Sequence, residues 1–254
     1  SLIDSHIHFD QLRTTVQTQL VQQRVISYFI AVSTDWESAR RTLNLSKQHT
    51  QIIPAVGWHP EQPLPTLNEC ADFLQWSEQN IAHFQAIGEV GLPYYTRLEN
   101  PLLPIEPYME WLEQWIILAK RYDLPLNLHI VHDDVPHALD LLEKHSIVKA
   151  HFHWFKGPTN ATERLLQNGY YISITPDIMY KERTQHLVKK VPLDQMMIES
   201  DAPYPLEGPF TERDNDGTFL NLTVKKMSEL LHIPKGVLKE KLTQTTKKLY
   251  SLTF

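Results

Sequence analysis

The chain has 254 residues, 42% of them hydrophobic, and a formal net charge of −6. That length and apolar content suffice for one eight-stranded α/β barrel, while the negative balance argues against a protein that coats nucleic acid through a general basic surface. Cys70 is the only cysteine, which excludes disulfide frameworks and thiolate-held zinc or iron–sulfur sites and leaves any metal to histidine and carboxylate.

Short β-branched or apolar runs alternate along the chain with helix-length segments whose apolar residues stand three or four apart, the pattern of parallel β/α units. In chain order, strands are predicted at Leu2–Ser5, Ile26–Val32, Ile52–Val56, Gln85–Gly88, Leu126–His129, Lys149–His153, Tyr171–Ile174 and Met196–Glu199. Helices are predicted between them at Trp36–His49, Cys70–Gln79, Tyr108–Tyr122, Val135–His145, Ala161–Asn168 and Lys181–Lys190. Two more, near Leu222–Leu231 and Pro234–Ser251, follow the last strand, with Pro234 as a first-turn proline. Eight strands is the number that closes a barrel, so the expected fold is a single (β/α)8 TIM barrel over residues 1–254 with C-terminal helices.

Two proline-marked loops, Pro93–Pro107 and Asp201–Phe219, follow predicted strands and so belong on the face where barrel enzymes place their chemistry. Seven lysines within 221–254, against Glu229 and Glu240, make a basic tail that reads as the solvated faces of two helices. No apolar run approaches the roughly 20 residues of a membrane helix, and no secretory core stands at the start. The expectation is a cytoplasmic protein with no membrane partner and no evident obligate protein partner.

The first strand leads into Asp4-Ser5-His6-Ile7-His8-Phe9-Asp10. Strand alternation puts His6 and His8 on one face, where two imidazoles can bind one ion. A second H-x-H pair is His151 and His153. Glu89 follows Gln85–Gly88, a place where a buried carboxylate is costly without a cation or hydrogen-bond partners. His129 ends the fifth strand, His153 the sixth, and Asp201 follows the eighth. Thus His6, His8, Glu89, His129, His153 and Asp201 gather at the carboxyl ends of strands one, four, five, six and eight. An imidazole and carboxylate set suits zinc, manganese, cobalt or iron, and magnesium less well. His59, after the third strand, is expected to contact substrate or support a ligand. Glu199 has the alternation to hydrogen-bond a ligand. Tyr94, Tyr95, Trp154 and Phe155 either stack on bases or pack loops.

These segments, in this order, resemble the TatD family of metal-dependent deoxyribonucleases, within the amidohydrolase-like barrel superfamily. Asp4–Asp10 is similar to the family's D-[ST]-H-x-H-x-D, Gly57-Trp58-His59-Pro60 to G-x-H-P, and Gly88-Glu89-Val90-Gly91-Leu92 to G-E-x-G-L. His153-Trp154-Phe155-Lys156-Gly157 resembles H-x-F-x-G, and Glu199-Ser200-Asp201-Ala202-Pro203 resembles E-[TS]-D-[AS]-P. The resemblance implies two divalent ions, one held by His6, His8 and Asp201, the other by His129 and His153, with Glu89 on both. It implies hydrolysis of DNA phosphodiesters by a water activated at those ions, Asp201 and Glu89 being catalytic and His59 touching the substrate phosphate.

Three departures surround the substrate rather than the ions. Pro93 stands where the family has Asp, and Val131 where it often has Arg; the closing N-x-x-x-L-F becomes Thr245-Thr246-Lys247-Lys248-Leu249-Tyr250. An arginine at 131 would be a bidentate phosphate contact; His132, Arg97 and Lys156 are candidates to replace it. Two other readings stay open: an amidohydrolase-like enzyme acting on a small amide, lactone or organophosphate ester, and a non-catalytic metal-binding protein.

Overall fold

In a computed structural model describing residues 1–253, the chain forms one sheet of eight parallel strands in the order β1 to β8. They are β1 (Leu2–Ile7), β2 (Ile26–Ala31), β3 (Ile52–Val56), β4 (Ala86–Gly91), β5 (Leu126–His129), β6 (Ala150–Phe152), β7 (Tyr171–Ile174) and β8 (Met196–Ile198). Around them lie α1 (Thr14–Gln22), α2 (Trp36–Gln48), α3 (Leu67–Gln79), α4 (Tyr94–Glu99), α5 (Glu106–Tyr122), α6 (Val135–Lys144), α7 (Thr159–Gln167), α8 (Glu182–Lys190), α9 (Leu220–Leu231) and α10 (Lys235–Tyr250).

Local chemistry starts the helices where they start. Asp35 accepts the Ser38 N–H at 2.8 Å to cap α2, and Thr66 with Glu69 forms a reciprocal capping box on α3. Strand residues such as Phe29, Ala31, Ile52 and Val56 pack outward against the helices. Their alternates, including Ile3, Ile30, Ile53, Ala55 and Met197, form a separate interior cluster with Leu249 and Tyr250. The last turn of α10 therefore plugs the barrel beneath the strand ends that hold the polar cluster.

The barrel closes without a regular ladder between β8 and β1. Instead the Asp201 N–H donates to the His6 carbonyl at 3.0 Å, and the His8 N–H to the Ala202 carbonyl at 2.9 Å. The Ser200 N–H donates to the Asp4 carboxylate at 3.0 Å, and the Ser5 hydroxyl to the Ile198 carbonyl at 2.8 Å.

All eight expected strands are present, with shifted ends. β1 continues to Ile7, which places His6 inside the strand, and Glu89 lies within β4 rather than past its end; His153 stands just beyond β6. The Pro93–Pro107 segment is not all loop, because Pro93 caps α4. Pro234 precedes the first helical residue of α10 as its cap rather than occupying the first turn. Helix α1 had no prediction: Leu20 is its one buried residue, so it lacks an apolar stripe. On α9 and α10, Lys225, Lys235, Lys241 and Lys248 are exposed, as expected for solvated faces.

Gly91 shows how tightly β4 and β5 are pressed. A Cβ there would lie 1.9 Å from the His129 carbonyl oxygen, which the backbone cannot relieve without moving His129. Gly91→Ala is expected to destabilise by about 3 kcal/mol or more, read as a lower urea midpoint; wild-type stability would show the strands to be freely separable.

Candidate metal centre

The carboxyl ends of the strands deliver their polar residues to one point. Glu89, 1% exposed, stands at its middle. Its Oε1 lies 3.3 Å from His6 Nε2 and 3.2 Å from His8 Nε2. The same two nitrogens lie 3.1 and 3.2 Å from Asp201 Oδ1. The other Glu89 oxygen, Oε2, faces a second set: His153 Nε2 at 2.8 Å, His129 Nδ1 at 3.3 Å and His59 Nε2 at 3.4 Å. All six residues expected as ligands, and His59, thus meet in one cluster.

These approaches are not hydrogen bonds. Both Glu89 oxygens, His6 Nε2, His153 Nε2 and Asp201 Oδ1 are buried with no hydrogen-bond partner. Several converging lone pairs left unsatisfied cost folding free energy, and a divalent cation among them would satisfy all at once. The donor set, imidazole nitrogens and carboxylate oxygens without sulfur, fits such an ion. Groups able to hold one include His6, His8 and Glu89; His59, Glu89 and His129; and His6, His153, Glu199 and Asp201.

Without an ion, the charges adjust to one another. Burial works against the Glu89 carboxylate, but the imidazoles of His59, His153 and His6 outweigh it and hold its pKa well below the usual range. Burial likewise opposes charge on His8, yet Asp201 and Glu89 lift it to about 9. Burial opposes charge on His129 too, and Glu61 and Glu89 lift it to about 9. Protons held this way are the ones a cation displaces.

Outer partners aim the inner atoms. His129 Nε2 meets Glu61 Oε2 at 3.1 Å, which directs Nδ1 inward. Glu61 also accepts the N–H groups of Tyr95 and Thr96 at 2.9 and 3.0 Å, so it joins the start of α4 to His129. Glu61 went unmarked in the sequence, although it stands two residues after His59. His153 Nδ1 meets Glu199 Oε1 at 3.1 Å, the support expected of Glu199. His59 accepts the Glu61 N–H on Nδ1 at 3.0 Å, leaving the proton on Nε2; burial lowers its pKa to about 4, so at neutral pH it is an uncharged donor. His151, the other half of the second H-x-H, does not join the cluster and bonds Tyr250 and Ser173 instead.

The cluster floors a cavity of about 610 Å³. Lys156, Lys181 and Arg183 stand in its wall beside Glu61, Asp177 and Glu207, Tyr95, Trp154 and Tyr204 give aromatic faces, and Val131 is part of the lining. Lys156 lies 4.6 Å above the Trp154 ring and bonds the Tyr95 hydroxyl at 3.2 Å. Of the residues considered as replacements for an arginine at 131, His132 and Lys156 line the cavity, whereas Arg97 pairs with Asp134 at 3.2 Å. Arg183, unmarked in the sequence, comes from the start of α8. Phe155 is buried in the main core.

The chain matches the sequence model of the family described as TatD related DNase over residues 3–251. It is 42% identical over 253 residues to a metal-dependent hydrolase of Haemophilus influenzae, covering 99% of this chain and 100% of that one. It is 28% identical to the human deoxyribonuclease TATDN3, covering 98% of this chain and 94% of the other. The crystal structure of YjjV, a TatD homologue from Escherichia coli, superposes with a TM-score of 0.85 at 26% identity over 99% of this chain and 98% of that one.

Proposed function

This chain belongs to the TatD family of metal-dependent hydrolases, and we propose that it cleaves phosphodiester bonds in DNA at a two-ion site. The observation that supports this reading most is the placement of Glu89. Its two unsatisfied oxygens face two separate imidazole sets at the floor of a cavity whose wall includes Lys156 and Arg183. His6, His8 and Asp201 would hold one ion, His129 and His153 the other, and Glu89 both. Two bound divalent ions acidify a water molecule and neutralise charge on phosphoryl and leaving oxygens.

The chain's own residues do the rest. Asp201 stays ionised, because His6 and His8 beside it outweigh its burial; it accepts a hydrogen bond from the attacking water and orients it. Uncharged His59 donates Nε2–H to a phosphate oxygen without adding charge. Lys156 and Arg183 take the place of an arginine at 131, holding the phosphate from α8 and the β6 loop rather than from β5. Tyr95 and Trp154 offer faces for a base to stack on.

The purified protein, loaded with manganese, magnesium or zinc, should shorten single-stranded DNA with free ends. DNA left intact with every metal would remove the nuclease reading. A second reading, hydrolysis of a small amide, lactone or organophosphate ester, draws on Val131, which offers the cavity no charge. Among the described residues no helix is long and apolar enough to cross a membrane.

The Lys156 ammonium adds a pH signature. Burial pushes its pKa down to about 8, so its attraction for a phosphate is complete at lower pH and is lost as pH rises through that value. Between about pH 7 and 9 kcat/KM for a phosphodiester should fall on the order of tenfold. Lys156→Gln should remove this alkaline limb; a limb that persists in the variant assigns it to another group.

A further inference from the structure

Tyr250, at the end of α10, lies on the far side of the barrel from the cavity mouth and is fully buried. Its hydroxyl joins two chains of buried hydrogen bonds, and donor counting sets the direction of each bond in them. Asn127 uses one Nδ2–H on the Ser5 carbonyl at 3.1 Å and the other on Tyr250 Oη at 2.9 Å. The reversed amide would set its oxygen against that carbonyl. Asn127 Oδ1 therefore accepts from His6 Nδ1–H at 2.7 Å. That leaves His6 Nε2, facing Glu89 and Asp201, as the nitrogen open to a cation.

The second chain starts from the same hydroxyl. Having accepted from Asn127, Tyr250 donates its one proton to His151 Nδ1 at 2.6 Å. His151 then carries its proton on Nε2 and donates to Ser173 Oγ at 2.6 Å. Ser173 donates in turn to Glu199 Oε2. The other Glu199 oxygen accepts from His153 Nδ1–H at 3.1 Å. His153 Nε2 is thereby left bare, 2.8 Å from Glu89 Oε2. The two chains end on imidazoles stacked 3.6 Å apart at 2°.

We propose that Tyr250 is a positioning residue: its hydroxyl sets the direction of a buried hydrogen-bond circuit that presents the Nε2 atoms of His6 and His153, one toward each ion. This rests on the reading that those histidines hold ions. Phenylalanine packs in the same space but supplies no hydroxyl. Without it, His151 is free to carry its proton on Nδ1 and accept from Ser173, which takes a donor from Glu199. Asn127, meanwhile, loses the acceptor that holds its amide.

The test needs one variant, one control and the wild type. Long-range 1H–15N spectra of the metal-free wild type should show His6 and His153 protonated at Nδ1 and His151 at Nε2. In Tyr250→Phe, His151 should shift toward Nδ1–H. Zinc affinity by chelator competition should weaken roughly 10-fold or more, the usual effect of losing an outer support. Leu249→Ala loosens the same helix and cluster but removes no hydrogen bond of the circuit, and should keep the wild-type zinc affinity even where it unfolds earlier. The proposal is overturned if Tyr250→Phe binds zinc like the wild type, if Leu249→Ala weakens binding as much, or if His151 in the wild type already carries its proton on Nδ1. A wild type that binds no ion overturns the reading of the site as well, whereas normal zinc binding by Tyr250→Phe overturns this inference alone.

Discussion

Glu89→Gln is expected to abolish hydrolysis and to empty the site of metal while leaving the barrel folded. Glutamine has the size of glutamate, so the packing around β4 survives. What changes is the charge at the point where two imidazole sets converge, within 3.4 Å of five histidines. The carboxamide offers one acceptor where two are needed and turns an N–H₂ toward the other set. If Glu89 bridges two ions as proposed, both would lose their shared ligand together, and the loss in kcat/KM should be on the order of 1,000-fold or more, about 4 kcal/mol of transition-state stabilisation. Elemental analysis of the dialysed variant beside its turnover provides the check. Retention of metal and of a tenth of the activity would deny Glu89 its bridging role.

The second large effect should come from removing two cations of the cavity wall, Lys156 and Arg183. Lys156→Ala with Arg183→Ala leaves the polar cluster intact and takes away the charges that would hold a phosphate. Each charge-assisted hydrogen bond contributes about 1.5–3 kcal/mol, so the pair should lower kcat/KM for a phosphodiester by roughly 100- to 1,000-fold, allowing for coupling between neighbours. Metal content should not change. Neutral lactones or amides, if they are substrates at all, should be hydrolysed at nearly the wild-type rate. A double variant that still degrades DNA normally, or one that loses lactone turnover equally, would sink the nuclease reading in favour of its rival.

The strands were legible because burial on both faces leaves a nearly continuous apolar run, as in Leu126–His129, and such runs are hard to mistake in a regular alternation with helices. Their ends were less so. The sequence placed Glu89 outside its strand because a charged side chain normally ends a buried run, yet here five imidazoles surround it. Helix α1 was invisible because Thr14–Gln22 buries one side chain and shows no stripe. Among the polar residues, those marked by short-range patterns, His6 with His8 and Glu89 within a glycine frame, could be read directly. Glu61 and Arg183 could not, since what brings Glu61 to His129 and Arg183 to Lys156 is the closing of the barrel, and neither lies in a local pattern that distinguishes it from any surface charge. The second H-x-H was ambiguous for the same reason: only the position of Tyr250, a hundred residues away, separates the role of His151 from that of His153.

The seam between β8 and β1 sets an order of events during synthesis. His6 and His8 leave the ribosome well before Asp201, and these three converge where no ladder joins the edge strands. A nascent chain can pair β1 through β7 and still lack the carboxylate that completes one imidazole set. Capture of an ion by His6, His8 and Asp201 would therefore wait for β8 and the residues that follow it. Once captured, an ion bridging His6, His8 and Asp201 would act as a rivet across the one gap in the sheet, linking the first strand to the last. Loss of metal should then open the molecule at this gap first, and amide exchange should rise earliest in residues 4–8 and 198–202.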